Sequence, residues 1–267
     1  MNDQNNYKSI NKQLWNEKTE AHVDSKFYDT KGFLEGKTSL NSVELDLLGD
    51  VKDKNILHLQ CHFGQDTLSL ARMGAHTTGL DLSDKAIDVA RNLNAQLGLN
   101  SEFVCSDVYD APESLNGKFD IVFTSYGTIG WLPDLDRWAS VIKRCLKPNG
   151  KLVFVEFHPI VWMFDYDFTK FNYSYFNEGP IIETNEGTYA DRNANISAKE
   201  ISWNHPLSEV FNGLIKNGFS IDSFDEYDYS PYNCFNNTIE LEPGKFQIKG
   251  LQKIIPMLYS ITATKKA

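Results

Sequence analysis

The sequence predicts an α/β protein built on a mostly parallel sheet, and three observations carry that expectation. Residues 55–81, NILHLQCHFGQDTLSLARMGAHTTGLD, read as strand, turn, helix, strand and terminal acid. Short apolar runs then alternate with helical stretches as far as residue 157, the rhythm of parallel strands joined by right-handed crossovers. Hydrophobic residues make up 41% and charged residues 23% of the 267, the balance of a soluble globular chain with one large core or at most two small ones.

Taken in order, Ile10 to His22 predicts a helix carrying Leu14, Trp15 and Ala21. Thr38 to Leu48 predicts a second, with Leu40, Val43, Leu47 and Leu48 at helical spacing. Ile56 to Leu59 is the first buried strand. Asp66 to Met73 is a short helix closed by Gly74, and Thr77 to Leu80 is the second strand with Asp81 at its carboxyl end. Ser83 caps a helix from Asp84 to about Leu97, closed by Gly98. Strands follow at Glu102 to Cys105, Phe119 to Thr124 and Leu152 to Phe157, with a helix over Leu135 to Leu146 and a turn at Pro148-Asn149-Gly150. Ile160 to Trp203 breaks the rhythm. It is dense in Phe, Tyr and Trp, and Ile181–Thr184 with Thr188–Tyr189 around Asn185-Glu186-Gly187 reads as a hairpin. A helix over Pro206 to Lys216, strands at Phe219 to Tyr227 and Met257 to Thr264, and a loop over Tyr229 to Gly250 complete the chain.

A helix N-terminus facing a strand-end acid is the layout of a nucleoside-binding βαβ unit, in which the acid takes the two ribose hydroxyls. Asp81 lies a little under ~20 residues past the turn, close to the usual spacing. A dinucleotide site wants G-x-G-x-x-G so that backbone can crowd a pyrophosphate. Gln60-Cys61-His62-Phe63-Gly64 puts side chains there instead and favours a nucleoside without phosphates.

LHLQCHFGQDTLSLAR, GLDLS, SDVYD, FDIVFTSYGTIGWLPDL, LKPNGKLVFVEFHP and WNHPLSE together resemble the class I S-adenosylmethionine (AdoMet)-dependent methyltransferases, and within them a bacterial branch whose first loop reads H-x-Q-C-H-F-G. The resemblance is specific from about residue 55 to 158. It implies a Rossmann-like, seven-stranded, mostly parallel sheet flanked by helices, with an AdoMet-binding domain at 51–267. Residues 1–50 read either as an N-terminal helical lid over the site or as a helical layer packed on the sheet edge, and the insert at 160–203 either as a substrate-side pocket roof or as an interface or small satellite core. The usual first motif is D/E-x-G-x-G-x-G. Here His58 replaces the acid, Gln60 and His62 replace two glycines, and Gly64 remains.

That resemblance places AdoMet, with S-adenosylhomocysteine (AdoHcy) as product, on Gln60, His62, Gly64, Asp81, Leu82, Asp107, Val108, Ser125 and Tyr126. Asp81 takes the ribose, Leu82 touches the adenine face, and Asp107 with its neighbours Ser106 and Val108 borders the adenine ring. Gln60 and His62 substitute side chains for backbone at the methionine end, and Gly64 opens a helix whose free N–H groups suit a carboxylate. Ser125 and Tyr126 stand where AdoMet meets the acceptor, and Tyr126 and Trp131 offer aromatic faces to a cation. Glu156 and His158 end the fifth strand, where open α/β sheets place ligands, and His158 is the expected general base. His205 reads as a ligand-side group or a cap of the helix that follows it. Trp15, Tyr28 and Phe33 supply aromatic cover in the lid. No metal is expected, because His58-x-x-x-His62 crosses from strand to turn.

The expected function is methyl transfer to a small-molecule acceptor. The alternative is an AdoMet- or AdoHcy-binding protein that transfers nothing, and a nucleotide-linked oxidoreductase is the third and weakest reading. A net charge of −10 and the absence of N/D-P-P-Y/F after the fourth strand argue against nucleic acid. No apolar run approaches the ~20 residues of a membrane span. MNDQNNYKSI lacks a signal pattern, so a cytoplasmic setting with reduced thiols at Cys61, Cys105, Cys145 and Cys234 is expected. The oligomeric state and the acceptor are left open by the residues.

Overall fold

A computed structural model describes residues 6–266. Residues 1–5 of the expected lid, and Ala267, lie outside the described residues. The central sheet has seven strands in the order β3-β2-β1-β4-β5-β11-β8. β1 (Asn55–Leu59), β2 (His76–Asp81), β3 (Glu102–Cys105), β4 (Phe119–Ser125) and β5 (Leu146–Phe157) run parallel. β11 (Leu258–Lys265) is antiparallel to both β5 and β8 (Phe219–Tyr227).

Alternation along the strands sends successive side chains to opposite faces. Leu57, Leu59, Val122 and Phe154 pack with α6 (Leu135–Cys145) and α7 (Leu207–Lys216), around the fully buried Trp138. Ile56, Ile121, Phe123 and Val153 face the other way, onto α3 (Ser42–Leu48) and α4 (Gln65–Arg72). α5 (Asp84–Gln96) covers β2 and β3 through Ala86, Ile87, Ala90 and Leu93. At Gly64 an added Cβ would lie 2.7 Å from the Phe103 ring and 3.0 Å from Ala90 Cβ, so this glycine is required by helix-on-sheet packing.

Three expectations are corrected. The strand that returns from β6 (Ile181–Glu186) is β7 (Ser197–Ser202), not Thr188–Tyr189. Thr188 instead closes a turn with Asp191, because its hydroxyl accepts from the Asp191 and Ala190 N–H groups. The segment expected as loop over 229–250 contains a hairpin, β9 (Thr238–Glu242) with β10 (Lys245–Ile248), turning at Pro243-Gly244. β5 begins before the Pro148-Asn149-Gly150 turn, which is absorbed as an irregularity in the β4–β5 pairing, with Asn149 at φ +59°.

The N-terminal α1 (Tyr7–Val23) and the short α2 (Thr30–Leu34) close over the carboxyl ends of the strands. α1 is clipped to the insert. Asn11 donates to the Ile201 carbonyl (2.8 Å) and accepts from the Ile201 N–H (3.0 Å), so one side chain pairs with the edge of β7 as a strand would. Lys18 approaches Glu200 at 3.4 Å, and Tyr7 meets the Trp203 ring edge-on at 5.3 Å. Lid and insert therefore form one cover. No described helix is long and apolar enough to cross a membrane.

Candidate functional site

Beneath that cover lies a cavity of about 670 Å³. It runs from the ends of β1, β2 and β3 across the end of β4 to the aromatic insert. Every residue expected to hold AdoMet lines it: Gln60, His62, Gly64, Asp81, Leu82, Asp107, Val108, Ser125 and Tyr126. Trp15, Tyr28 and Phe33 of the lid line it too, as do Trp162, Phe164 and Phe168 of the insert.

The β2 end fixes Asp81. Its Oδ2 accepts from the His62 N–H and its Oδ1 from the Ser83 N–H, each at 2.8 Å, so the acid ties the first loop to the start of α5. Each oxygen keeps a second lone pair for a ligand hydroxyl. Burial pushes its carboxyl up to about 6, against the pull of those backbone donors. Asp107 uses Oδ1 for the Tyr109 N–H (2.8 Å) and for Lys8 of α1 (3.1 Å).

The first loop keeps the backbone of a glycine loop without its glycines. Gln60 (φ +54°) and His62 (φ +51°) are both left-handed, a conformation natural to glycine and costing other residues roughly 1–2 kcal/mol. What the side chains gain is specific. Gln60 Nε2 donates to the Thr128 carbonyl (2.8 Å), bracing the first loop against the loop after β4, while its buried Oε1 has no partner. His62 stacks on Tyr28 with ring centroids 5.4 Å apart, and its Nε2 lies 3.2 Å from His22 Nδ1. His22 Nε2 and His62 Nδ1 have no partner. Burial holds both imidazoles neutral, His22 down to about 3 and His62 well below its ordinary value, so each carries one N–H and one ring donates to the other across the contact. His58, also in the cavity lining, is bonded to Thr67 Oγ1 at 2.9 Å and stacked on Phe123. Among the described residues no group of three or more His, Cys, Asp or Glu is placed to hold a metal.

The two residues at the end of β5 do not have the geometry of an acid–base pair. Glu156 is almost fully buried. Its carboxylate accepts from the backbone N–H groups of Gly127, Thr128 (2.7 Å), Ile129 (3.1 Å) and Phe157 (2.7 Å), and from Thr128 Oγ1 (3.0 Å). Those five donors make it the anchor of the loop after β4 and occupy its lone pairs. His158 lies outside the cavity lining. Its Nδ1 accepts from the Ile160 N–H (3.2 Å) and its Nε2 sits 3.0 Å from Glu226 of β8. His205 does not cap α7. Its ring nitrogens meet the Leu132 carbonyl (2.8 Å) and Glu209 (3.0 Å), joining the loop after β4 to the α7 start.

The clasped loop holds Tyr126 in a left-handed conformation, φ +53°, at the cavity wall. Its hydroxyl donates to Glu44 Oε2 at 2.5 Å. Glu44, fully buried, belongs to the capping box of α3, where its Oε1 accepts from Asn41 N at 2.7 Å. Burial pushes Glu44 up to about 7, with the Asp66 carboxylate adding to the rise. Asp66, in the first turn of α4, also lines the cavity and is hydrogen-bonded by Ser39 and Ser125. Sequence reading missed Glu44, Asp66, Lys18 and Tyr232. The helix expected from Thr38 starts at Ser42 with Asn41 as its cap, and nothing in the sequence joins Glu44 to Tyr126. Lys18 lies 5.1 Å over Trp15 and 5.3 Å over Trp131, with Glu200 as its counter-charge.

With this geometry in place, comparison with known proteins shows what the chain is similar to. Residues 56–150 match the protein family described as methyltransferase domain. A ubiquinone biosynthesis O-methyltransferase of Coxiella burnetii is 36% identical over 107 residues, 39% of this chain and 44% of that protein. Its counterpart in Erwinia tasmaniensis is 27% identical over 136 residues, 49% of this chain and 56% of that one. The chain thus spans about half the length of the curated relatives it matches. Among solved structures, an S-adenosylmethionine-dependent methyltransferase from Clostridium acetobutylicum superposes with a TM-score of 0.58 at 14% identity, covering 92% of this chain and 95% of that one. Another, from Mesorhizobium loti, gives 0.56 at 18%, covering 87% and 100%. The cyclase SpnF gives 0.55 at 16%, covering 87% and 84%. At such identities the likeness is one of fold: the chain has the Rossmann-like class I methyltransferase architecture, with the seven-stranded sheet expected of it.

Proposed function

We propose that the protein binds AdoMet and transfers its methyl group to a small-molecule acceptor. The observation that carries this reading is Asp81, held by two backbone N–H groups at the end of β2 with lone pairs open to a cavity that continues under an aromatic cover. Asp81 takes the ribose hydroxyls, Leu82 and Val108 border the adenine, and Asp107 takes its exocyclic amine. The unpartnered Gln60 Oε1 and His62 Nδ1 fit the polar methionine end, which answers how a loop without the usual glycines can serve. AdoMet supplies an activated methyl on a good leaving group. The chain's part is to position, to exclude water and to take a proton where the acceptor carries one. Residues 6–50 act as the lid and 160–203 as the roof.

Calorimetry tests this directly. AdoMet and AdoHcy are expected to bind at one site per chain, and Asp81→Ala to weaken both by on the order of 2–4 kcal/mol, the loss of two charge-assisted hydrogen bonds. Unchanged affinity in that variant would refute the ribose assignment. A second reading is binding without methyl transfer. It is favoured by the altered first loop and by SpnF, a fold neighbour described as a cyclase. Mass spectrometry of metabolite mixtures incubated with AdoMet separates the two, since only the first reading gives products heavier by one methylene.

A further inference from the structure

The cavity contains imidazoles and carboxylates, yet most are already engaged. His58 is bonded to Thr67 and stacked on Phe123, His62 is paired with His22, and both ring nitrogens of His205 face protein acceptors. Glu156 is filled by five donors. An acceptor hydroxyl bound here needs somewhere to send its proton.

We propose that Tyr126 and Glu44 form a proton relay for a phenolic acceptor, with Tyr126 touching the acceptor hydroxyl and Glu44 receiving the proton. The proposal rests on the methyl-transfer reading above. Tyr126 is part of the cavity wall, flanked by Phe157 at 5.9 Å and Tyr232 at 5.1 Å between ring centroids. Its hydroxyl hydrogen is committed to Glu44 Oε2, which leaves its oxygen lone pairs to accept from a ligand O–H. Trp162 and Phe235 extend the aromatic wall beyond Phe157, at 5.7 and 5.0 Å, and give a phenol ring edges and faces to pack on.

The step moves one proton along one line. The acceptor O–H passes its proton to Tyr126 Oη as Tyr126 passes its own to Glu44 Oε2. The acceptor oxygen keeps the electron pair, which becomes its bond to the methyl group. Tyr126 is a phenol before and after, and Glu44 ends as a neutral acid until it loses the proton to water after release. Glu44 suits the task because its resting value, pushed by burial to about 7, lets it be ionised at neutral pH and still hold a proton. The ionisable groups around it are Asp66 of α4, Tyr126 at the β4 end, and Tyr229 and Tyr232 after β8. β5 contributes Lys151, whose ammonium is tied to the Leu47 carbonyl at the far end of α3. Asp66 is itself held up by burial, and its charge opposes ionisation of Glu44.

The test uses the full chain, AdoMet, and a panel of mono- and dihydroxybenzenes as acceptor probes, with AdoHcy calorimetry as the check on the underlying reading. In the wild type, kcat/KM should rise with pH through about 7. Glu44→Gln keeps an oxygen for the Asn41 cap, and Tyr126→Phe leaves that cap untouched. Each should lose this limb and fall by roughly 100-fold at neutral pH, and in Glu44→Gln, whose side chain lies outside the cavity lining, AdoHcy affinity should stay within about threefold. Infrared titration of the AdoHcy-loaded protein should show a protonated-carboxyl band that disappears through the same pH range and is absent in Glu44→Gln. A lower rate with the limb unmoved, or no such band in the wild type, would overturn the relay. AdoHcy binding without methylation of any phenol would overturn the acceptor class. Failure to bind AdoHcy at all would sink the methyl-transfer reading itself.

Discussion

Asp81 serves two purposes at once. It is a structural acceptor for the first loop and, in the proposed function, the ribose ligand. Its value near 6 gives a pH prediction with a definite sign. The ionised form accepts hydroxyl hydrogen bonds, and the protonated form gives up one of its acceptor positions. AdoHcy affinity should therefore be full above about pH 7 and decline as the pH falls through about 6, a trend that calorimetry between pH 5 and 8 would reveal. Asp81→Asn should bind more weakly and flatten that slope. Gln60 and His62 give a second prediction. Glycine at either position relieves a left-handed side-chain conformation, worth roughly 1 kcal/mol, and removes one polar contact of similar size. Thermal stability should hardly move, whereas AdoMet affinity should drop. Equal or tighter binding by both variants would mean that these side chains do not touch the ligand.

At the level of elements, the cover is held by few bonds. Asn11 pairs with both polar groups of Ile201, and Lys18 on Glu200 and Tyr7 on Trp203 complete the join of α1 to the β7 region. Asn11→Ala would leave the Ile201 N–H and carbonyl unpaired at a buried contact, at a cost of about 2 kcal/mol. Amide exchange should accelerate at Ile201 and along α1 while the central sheet stays protected. Uniform acceleration would show that the lid unfolds only with the whole domain. The sequence revealed α1 through its apolar spacing, and it revealed the insert through its length and aromatic density. It did not reveal that the two meet. Asn11 and Ile201 are separated by 190 residues, and their pairing depends on how the cover folds back over the sheet. The turn at Thr188 had the same cause. Asn185-Glu186-Gly187 looks like a tight hairpin turn, but a side-chain-capped loop carried the chain on to residue 197 before it paired.

For the whole molecule, the clip changes what loss of the insert should do. A roof independent of the cofactor site would predict that replacing residues 160–203 by a short Gly-Ser link leaves AdoMet binding intact. Because β7 carries the partner of α1, and α1 carries the Lys8 that meets Asp107, the replacement should instead weaken AdoMet binding as well as abolish transfer. Calorimetry and size-exclusion chromatography on the truncated protein test this. Wild-type affinity would mean the lid stands without the insert, and a change from dimer to monomer with activity kept would mean the insert is an interface.

The sequence alone determined the parallel core, the order of its strands and helices, and the string of residues at the strand ends that became the cavity wall. Those features follow from local periodicity, caps and strand-end position, which the chain encodes within a few residues. Tertiary structure decided which of those residues were free to act. Glu156 and His158 stand where ligand groups usually stand, yet the loop after β4 uses the first as its anchor, and the second faces Glu226. In the sequence Glu44 is one polar position within an expected helix, until the end of β4 brings Tyr126 to its Oε2, 82 residues along the chain. A side chain's availability depends on which donors and acceptors surround it, and for a buried polar group those partners come from strands and loops far away in sequence.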